Sequence, residues 1–202
     1  MNLRRIAALT LTVAFVVGAC GGNDPPRELA GYRRDPAPEV GDLSLPDLTN
    51  PGSDFSFQAE PDHLQVVYFG YTNCPDFCPT TLSDLRLATR RMDEADAARI
   101  DVAMVTVDPD RDLALLPDYV TSFFDDGRAL GTDDNSRLAQ AAEPFGVNYN
   151  VQETDDGLID VAHSTSLYVV DETGHLLLTW QFGVSIDDLA ADLTQLLESS
   201  ST

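Results

Sequence analysis

The chain has 202 residues, with 12 lysines and arginines against 34 aspartates and glutamates, for a formal net charge of −22 at pH 7. This acidity disfavours binding to nucleic acid or direct adhesion to anionic lipid, since both carry negative charge themselves. It favours solubility or a basic partner.

The N-terminus predicts a secretory signal peptide over residues 1–19. Two arginines precede an apolar run over residues 6–17, which is too short for a comfortable membrane span. The run leads into VGAC at residues 17–20, which resembles the lipobox of bacterial lipoproteins, whose cysteine becomes the lipidated first residue of the mature chain. We therefore expect Cys20 to be lipidated and the protein to be anchored by it at the extracytoplasmic face of the cell membrane. A plain signal peptide with a chance cysteine is the alternative.

Three further segments follow the signal peptide. Residues 20–40 are rich in proline, glycine and charge, which predicts a flexible tether. Residues 41–197 are long enough for one domain, and residues 198–202 form a short C-terminal tail.

The predicted elements of the domain alternate between strand and helix. Buried strands are predicted over 65–70 and 100–107, because both runs are apolar and rich in β-branched or aromatic residues. Later strands are predicted over 149–153 and, as a hairpin, over 165–171 and 176–180. Helices are predicted over 81–92, 117–124, 135–145 and 186–197.

This order indicates an α/β fold with a central sheet covered by helices on both faces. The closing hairpin followed by a helix makes the fold thioredoxin-like, with the extended core found in peroxiredoxins. A dithiol at the end of the first buried strand then lies where the next helix begins. We expect the positive end of that helix to lower the pKa of the thiols.

Cys74 and Cys78 form that dithiol, and with Cys20 lipidated the domain has no other cysteine. In an oxidising compartment, an unliganded close pair tends to form a disulfide. The pair either cycles with a disulfide or holds a soft metal, because thiolates select ions such as copper(I). A third ligand of nitrogen type would allow the site to hold copper(II) as well.

His163 is the candidate third ligand. It directly precedes the strand predicted over 165–171, and in thioredoxin-like folds the loop that enters this strand packs beside the dithiol. Oxidoreductases of this fold usually have a cis-proline there, whereas this chain has no proline after Pro144. His63 and His175 lie in polar surroundings or at a turn and are expected to be surface histidines.

Three motifs, in this order, resemble the Sco/SenC family of copper-binding thioredoxin-like proteins. They are VYFGYTNCPDFCP at 67–79, VTVDPDRD at 105–112 and HST at 163–165. The resemblance implies a copper metallochaperone rather than an enzyme, with copper(I) or copper(II) held by Cys74, Cys78 and His163. It also implies a role in building the binuclear copper centre of cytochrome c oxidase, with the copper-accepting oxidase subunit as the partner.

Several acidic residues near these motifs have two interpretations each. Asp76 either orients a ligand, as carboxylates behind a metal site do, or caps the helix. Asp108 is expected to pair with Arg111 and stabilise a loop rather than to contact the metal. The acidic runs at 108–112 and 132–134 are expected to be solvated loops and helix caps.

The main alternative function is a thiol-disulfide reductase that keeps the cysteines of an oxidase or another copper site reduced, with a thiol-disulfide oxidoreductase as the partner that regenerates it. It would use the same two cysteines, but it would have no need of His163. A peroxiredoxin is disfavoured, because the residues before Cys74 do not match the Pro-x-x-x-Thr-x-x-Cys setting of peroxidatic cysteines.

Overall fold

The computed structural model describes residues 27–200. The predicted signal peptide, Cys20 and the last two residues of the predicted tail lie outside the described residues. The strands are β1 (Ser44–Pro46), β2 (Asp54–Ser56), β3 (Leu64–Gly70), β4 (Ile100–Thr106), β5 (Arg128–Leu130), β6 (Tyr149–Glu153), β7 (Ile159–His163), β8 (Leu167–Val170) and β9 (Leu176–Trp180). The helices are α1 (Phe77–Thr89), α2 (Glu94–Ala97), α3 (Pro109–Asp112), α4 (Leu116–Thr121), α5 (Asn135–Ala142) and α6 (Ile186–Ser200).

A five-stranded sheet forms the centre of the fold, with the strand order β5-β4-β3-β8-β9. β3 lies in the middle and is buried along its whole length, parallel to β4 and antiparallel to β8. β1–β2 and β6–β7 form two small antiparallel pairs outside this sheet. Residues 71–76, called the dithiol loop below, therefore follow directly on a fully buried central strand.

Apolar layers cover both faces of the central sheet. Because side chains alternate along a strand, Val66 and Tyr68 of β3 pack in the layer that contains α1 and α6. Val67 and Phe69 pack in the opposite layer, which contains α5. The predicted α/β architecture, with a central sheet and helices on both faces, is confirmed.

Helix α1 begins at Phe77, four residues before the predicted start. Pro79 lies in its first turn, where a missing N–H costs no helical hydrogen bond. As a result, Cys78 belongs to the helix rather than to the loop before it. The short strands β1, β2, β5 and β7 are not predicted by the sequence pattern, whereas β3, β4 and β9 match their predicted positions to within one residue.

The packed part of the chain begins earlier than the predicted boundary at residue 41. Tyr32 and Thr179 exchange two backbone hydrogen bonds of 3.0 Å, so the predicted tether adds to the outer edge of β9. The buried carboxylate of Asp192 accepts hydrogen bonds from the Ala30 N–H at 2.9 Å and from Trp180 Nε1 at 2.8 Å. Pairing of this segment covers a strand edge that would otherwise be open.

None of the helices in the part of the chain that the structure describes has the length and apolar character needed to cross a membrane.

We expect Asp192→Ala to lower the free energy of unfolding by about 3 kcal/mol, because the Trp180 and Ala30 N–H groups lose a buried, charged acceptor. Urea unfolding measures this change. Asp187→Ala is the matched control, since that carboxylate is exposed and pairs with Arg91 at the surface. The control is expected to stay within about 0.5 kcal/mol of the wild type, and equal losses in the two variants would contradict the prediction.

Candidate metal centre

The two cysteines lie where β3 gives way to α1. After β3 the chain turns, and the N–H of Cys74 donates a hydrogen bond to the Tyr71 carbonyl at 3.4 Å. Cys78 follows in the first turn of α1 and is fully buried, whereas 7% of Cys74 is exposed. Both are free thiols in this structure. The helix thus inserts one sulfur into the core and leaves the other close to the surface.

Gly70 is required where the Cys78 sulfur meets the end of β3. A Cβ atom at this position would lie 2.9 Å from Cys78 Sγ and 2.7 Å from a ring carbon of Tyr68. Non-bonded carbon atoms do not approach other heavy atoms so closely, so a side chain at residue 70 would require the sulfur, the Tyr68 ring or both to move.

His163 completes a group of three donor atoms. It is the last residue of β7 and pairs with Tyr149 of β6 at the base of the hairpin. Its Nε2 atom lies 3.7 Å from Cys78 Sγ, and the ligand atoms of Cys74, Cys78 and His163 all lie within 4.8 Å of one another. The structure thus brings together the three residues that the sequence indicated as ligands.

The orientation of His163 leaves Nε2 free to act as a ligand. Nδ1 lies 2.8 Å from the carbonyl oxygen of Ser164, which can only accept, so Nδ1 carries the proton. Nε2 then has its lone pair directed towards the cysteines. Burial lowers the pKa of His163, which favours the neutral imidazole that a metal ion requires.

The Cys78 thiol differs from the sequence-based expectation. Burial raises its pKa to about 12, and the hydrogen bond from the Tyr68 hydroxyl to Cys78 Sγ, 3.4 Å long, only partly offsets this. Desolvation therefore outweighs the helix end that was expected to lower the thiol pKa. The Cys78 N–H, at the start of α1, instead donates to Cys74 Sγ at 3.3 Å.

Asp112 holds the dithiol loop to the neighbouring strand, and sequence analysis missed this role. Its fully buried carboxylate accepts hydrogen bonds from the Thr72 N–H at 2.9 Å, the Thr72 hydroxyl at 2.6 Å and the Thr106 hydroxyl at 2.7 Å. The expectation that the acidic run 108–112 is solvated is wrong for Asp112 and for Asp108, which is also buried. The position of the run in the sequence could have indicated this burial, because residues 108–112 directly follow β4, which is parallel to β3.

The other predicted residues near the site play smaller parts. Asp108 forms the expected ion pair with Arg111. Asp76 is exposed at the N-cap of α1, and its side chain makes no capping hydrogen bond. Neither His63 nor His175 belongs to the donor cluster; they lie near Asp101 and Glu39, respectively.

The donor set fits copper. Two sulfurs are soft ligands suited to copper(I), and a neutral imidazole nitrogen is a common ligand for copper in either oxidation state. Edge-to-face contact with the Tyr71 ring, 5.5 Å between centroids, restrains the imidazole of His163. The buried side of the site is thus formed by aromatic and apolar groups.

Comparison with known proteins shows similarity to a family of Sco proteins. The family model described as SCO1/SenC matches residues 48–198. An SCO2-like protein of Rickettsia prowazekii is 29% identical over 132 residues, which are 63% of this chain and 62% of that protein. The mitochondrial SCO2 homolog of Mus musculus is 34% identical over 126 residues, 59% of this chain and 47% of that protein. The chain therefore spans about half to two thirds of these two relatives.

Solved structures share the fold. The structure of Bradyrhizobium japonicum ScoI with copper bound is similar with a TM-score of 0.64 and 27% identity. The match covers 76% of this chain and 96% of that one. The predicted thioredoxin-like fold is confirmed by neighbours of this kind.

We expect Asp112→Ala to loosen the dithiol loop, because the Thr72 N–H and two hydroxyl groups lose their buried acceptor. The free energy of unfolding should fall by about 3 kcal/mol, and iodoacetamide should alkylate Cys74 faster, as measured for each site by mass spectrometry. The control, Asp110→Ala, removes an exposed carboxylate of the same run. Unchanged alkylation of Cys74 in Asp112→Ala would show that the carboxylate does not hold the loop.

The raised pKa of Cys78 predicts a loss of stability at alkaline pH. The unfolded thiol releases its proton near pH 9, whereas the folded thiol keeps it up to about pH 12. The stabilisation is therefore complete below pH 9 and declines as the pH rises between these values. We expect the reduced wild type to lose about 1 kcal/mol relative to Cys78→Ala between pH 9 and 10. Denaturant unfolding at both pH values measures the difference, and parallel pH profiles would contradict the prediction.

Proposed function

Because the chain belongs to the SCO1/SenC family, we propose that it is a metallochaperone that binds one copper ion through Cys74, Cys78 and His163. The observation that carries this proposal is the approach of two thiol sulfurs and one correctly oriented imidazole nitrogen to within 4.8 Å of one another. Sco proteins are assembly factors of cytochrome c oxidase. We propose the copper-accepting subunit of that oxidase as the partner of this chain.

Each residue of the site has a separate task in copper binding. The two cysteines supply thiolates, and each loses a proton when copper binds. His163 contributes Nε2 without releasing a proton, because its proton lies on Nδ1 and is held by the Ser164 carbonyl. Two thiolates suffice for copper(I), whereas copper(II) needs the nitrogen donor as well.

Access to the site is through the surface at Cys74. Phe77, which lies between the cysteines in the sequence, is 48% exposed and stacks edge-to-face on Phe182. A partner that exchanges copper would cover these rings, and the acidity of the chain favours a partner with positive charge. Lipidation of Cys20 would hold the domain at the extracytoplasmic face of the membrane, close to a membrane-bound oxidase.

A thiol-disulfide reductase is the second candidate function, and the pair of free thiols supports it. Oxidation of Cys74 and Cys78 to a disulfide would release two electrons and two protons to a disulfide of the target. An oxidoreductase partner would then restore the thiols. The same disulfide would remove both sulfur ligands, so the oxidised protein should not bind copper.

We expect His163→Ala to weaken copper(II) binding much more than copper(I) binding, because two soft thiolates satisfy copper(I). The loss for copper(II) should exceed the ~10–100-fold typical of residues that only support a ligand. Anaerobic titrations of the reduced protein with each ion measure both affinities. His175→Ala is the control, since it removes an imidazole away from the centre. Equal losses for the two ions would argue against His163 as a ligand.

Oxidase assembly, measured in cells that depend on this protein for it, distinguishes copper delivery from thiol reduction. If copper delivery is the function, His163→Ala should abolish assembly although the dithiol is intact. Normal assembly with His163→Ala, together with loss of assembly in Cys74→Ser, would instead support the reductase.

A further inference from the structure

The Cys78 sulfur has a buried hydrogen-bond donor that copper binding does not consume. The hydroxyl of Tyr68 lies 3.4 Å from Cys78 Sγ, and both side chains are fully buried. Tyr68 is fixed in β3, where its neighbours in the sheet and the α1 helix restrain the ring. The contact therefore belongs to the core rather than to a mobile surface.

Several groups surround this sulfur in the copper-free protein, among them the Tyr68 hydroxyl, the backbone of Tyr71 and the ring of His163. The Tyr68 hydroxyl donates to Sγ at 3.4 Å, and His163 Nε2, whose lone pair can accept from the thiol, lies 3.7 Å from the sulfur. When copper binds, it replaces the thiol hydrogen, which leaves as a proton. A thiolate has three lone pairs, so the sulfur can bond to copper and still accept from Tyr68.

The two sulfurs are supported in different ways. Cys74 Sγ accepts from the backbone N–H of Cys78, a donor that no side-chain substitution removes. Cys78 Sγ accepts from a side chain, and Tyr68→Phe removes that donor while the ring stays in place. The Tyr68 hydroxyl is thus a donor to Cys78 Sγ that one conservative substitution removes, whereas the Tyr71 side chain interacts with the other sulfur, that of Cys74.

We propose that Tyr68 is a positioning residue that keeps its hydrogen bond to the Cys78 thiolate in the copper-loaded site and shifts the site's preference towards copper(I). This inference rests on the proposed copper-binding function. A dithiolate with copper(I) carries one more negative charge than the same ligands with copper(II). A donor to sulfur stabilises the more negative form more strongly, and hydrogen bonds to a cysteine ligand are known to tune the potential of copper sites.

The test compares Tyr68→Phe with the wild type after loading with copper(I) or copper(II). Without the donor, the thiolate becomes a better electron donor, so the sulfur-to-copper(II) charge-transfer band should move to lower energy. The ratio of copper(I) to copper(II) affinity should fall about fivefold, the effect of one typical hydrogen bond. Tyr168→Phe is the matched control: this buried tyrosine lies in β8 in the opposite apolar layer, and neither measurement should change.

A second variant allows the inference to be tested even if Tyr68→Phe does not fold. 3-Fluorotyrosine at position 68 retains the hydroxyl and makes it a stronger donor, so the band should move to higher energy and the affinity ratio should rise. An unchanged band and ratio in folded Tyr68→Phe, or in the fluorotyrosine protein, would overturn the inference. A wild type without a sulfur-to-copper band would instead overturn the proposed copper site, so the two failures are distinguishable.

Discussion

Close packing of the Cys78 sulfur against the end of β3 is the constraint on which the site depends. The sulfur occupies space that a side chain at Gly70 would fill, and it lies within reach of the Tyr68 hydroxyl and His163 Nε2. Displacement of the sulfur would therefore disturb the loop, the core and the third donor together. The same packing excludes water, so the thiol is held in its neutral form until a metal ion replaces the proton.

The surrounding structure supports this arrangement from two sides. Asp112 ties Thr72 of the dithiol loop to Thr106 at the end of β4, so the loop is fixed by a buried carboxylate. The β6–β7 hairpin supplies His163 from the other side, and the Ser164 carbonyl sets which ring nitrogen faces the sulfurs. The end of the central sheet thus positions the pair of sulfurs, while a separate hairpin positions the imidazole nitrogen beside them.

The three donor residues could be predicted from the sequence, but the buried hydrogen bonds and the desolvation around them could not. The strands β3, β4 and β9 were predictable because their runs are apolar, and the dithiol could be placed because it follows β3 directly. β7 was not predictable, since its residues are mostly exposed and show no apolar run. Asp112 looks like part of a solvated acidic run, and only the tertiary structure shows that it is buried against Thr72, which follows β3, and Thr106 at the end of β4. The rise in the Cys78 pKa likewise depends on burial, which local sequence does not report.

X-ray absorption spectroscopy of the protein loaded with one equivalent of copper tests the central claim most directly, because it counts the sulfur and nitrogen atoms bound to the metal. We expect two sulfur ligands and one imidazole nitrogen for copper(II) in the wild type. We expect one sulfur fewer in Cys74→Ser or in Cys78→Ser, and loss of the imidazole in His163→Ala. A copper environment with the same ligands in all of these variants would contradict the central claim.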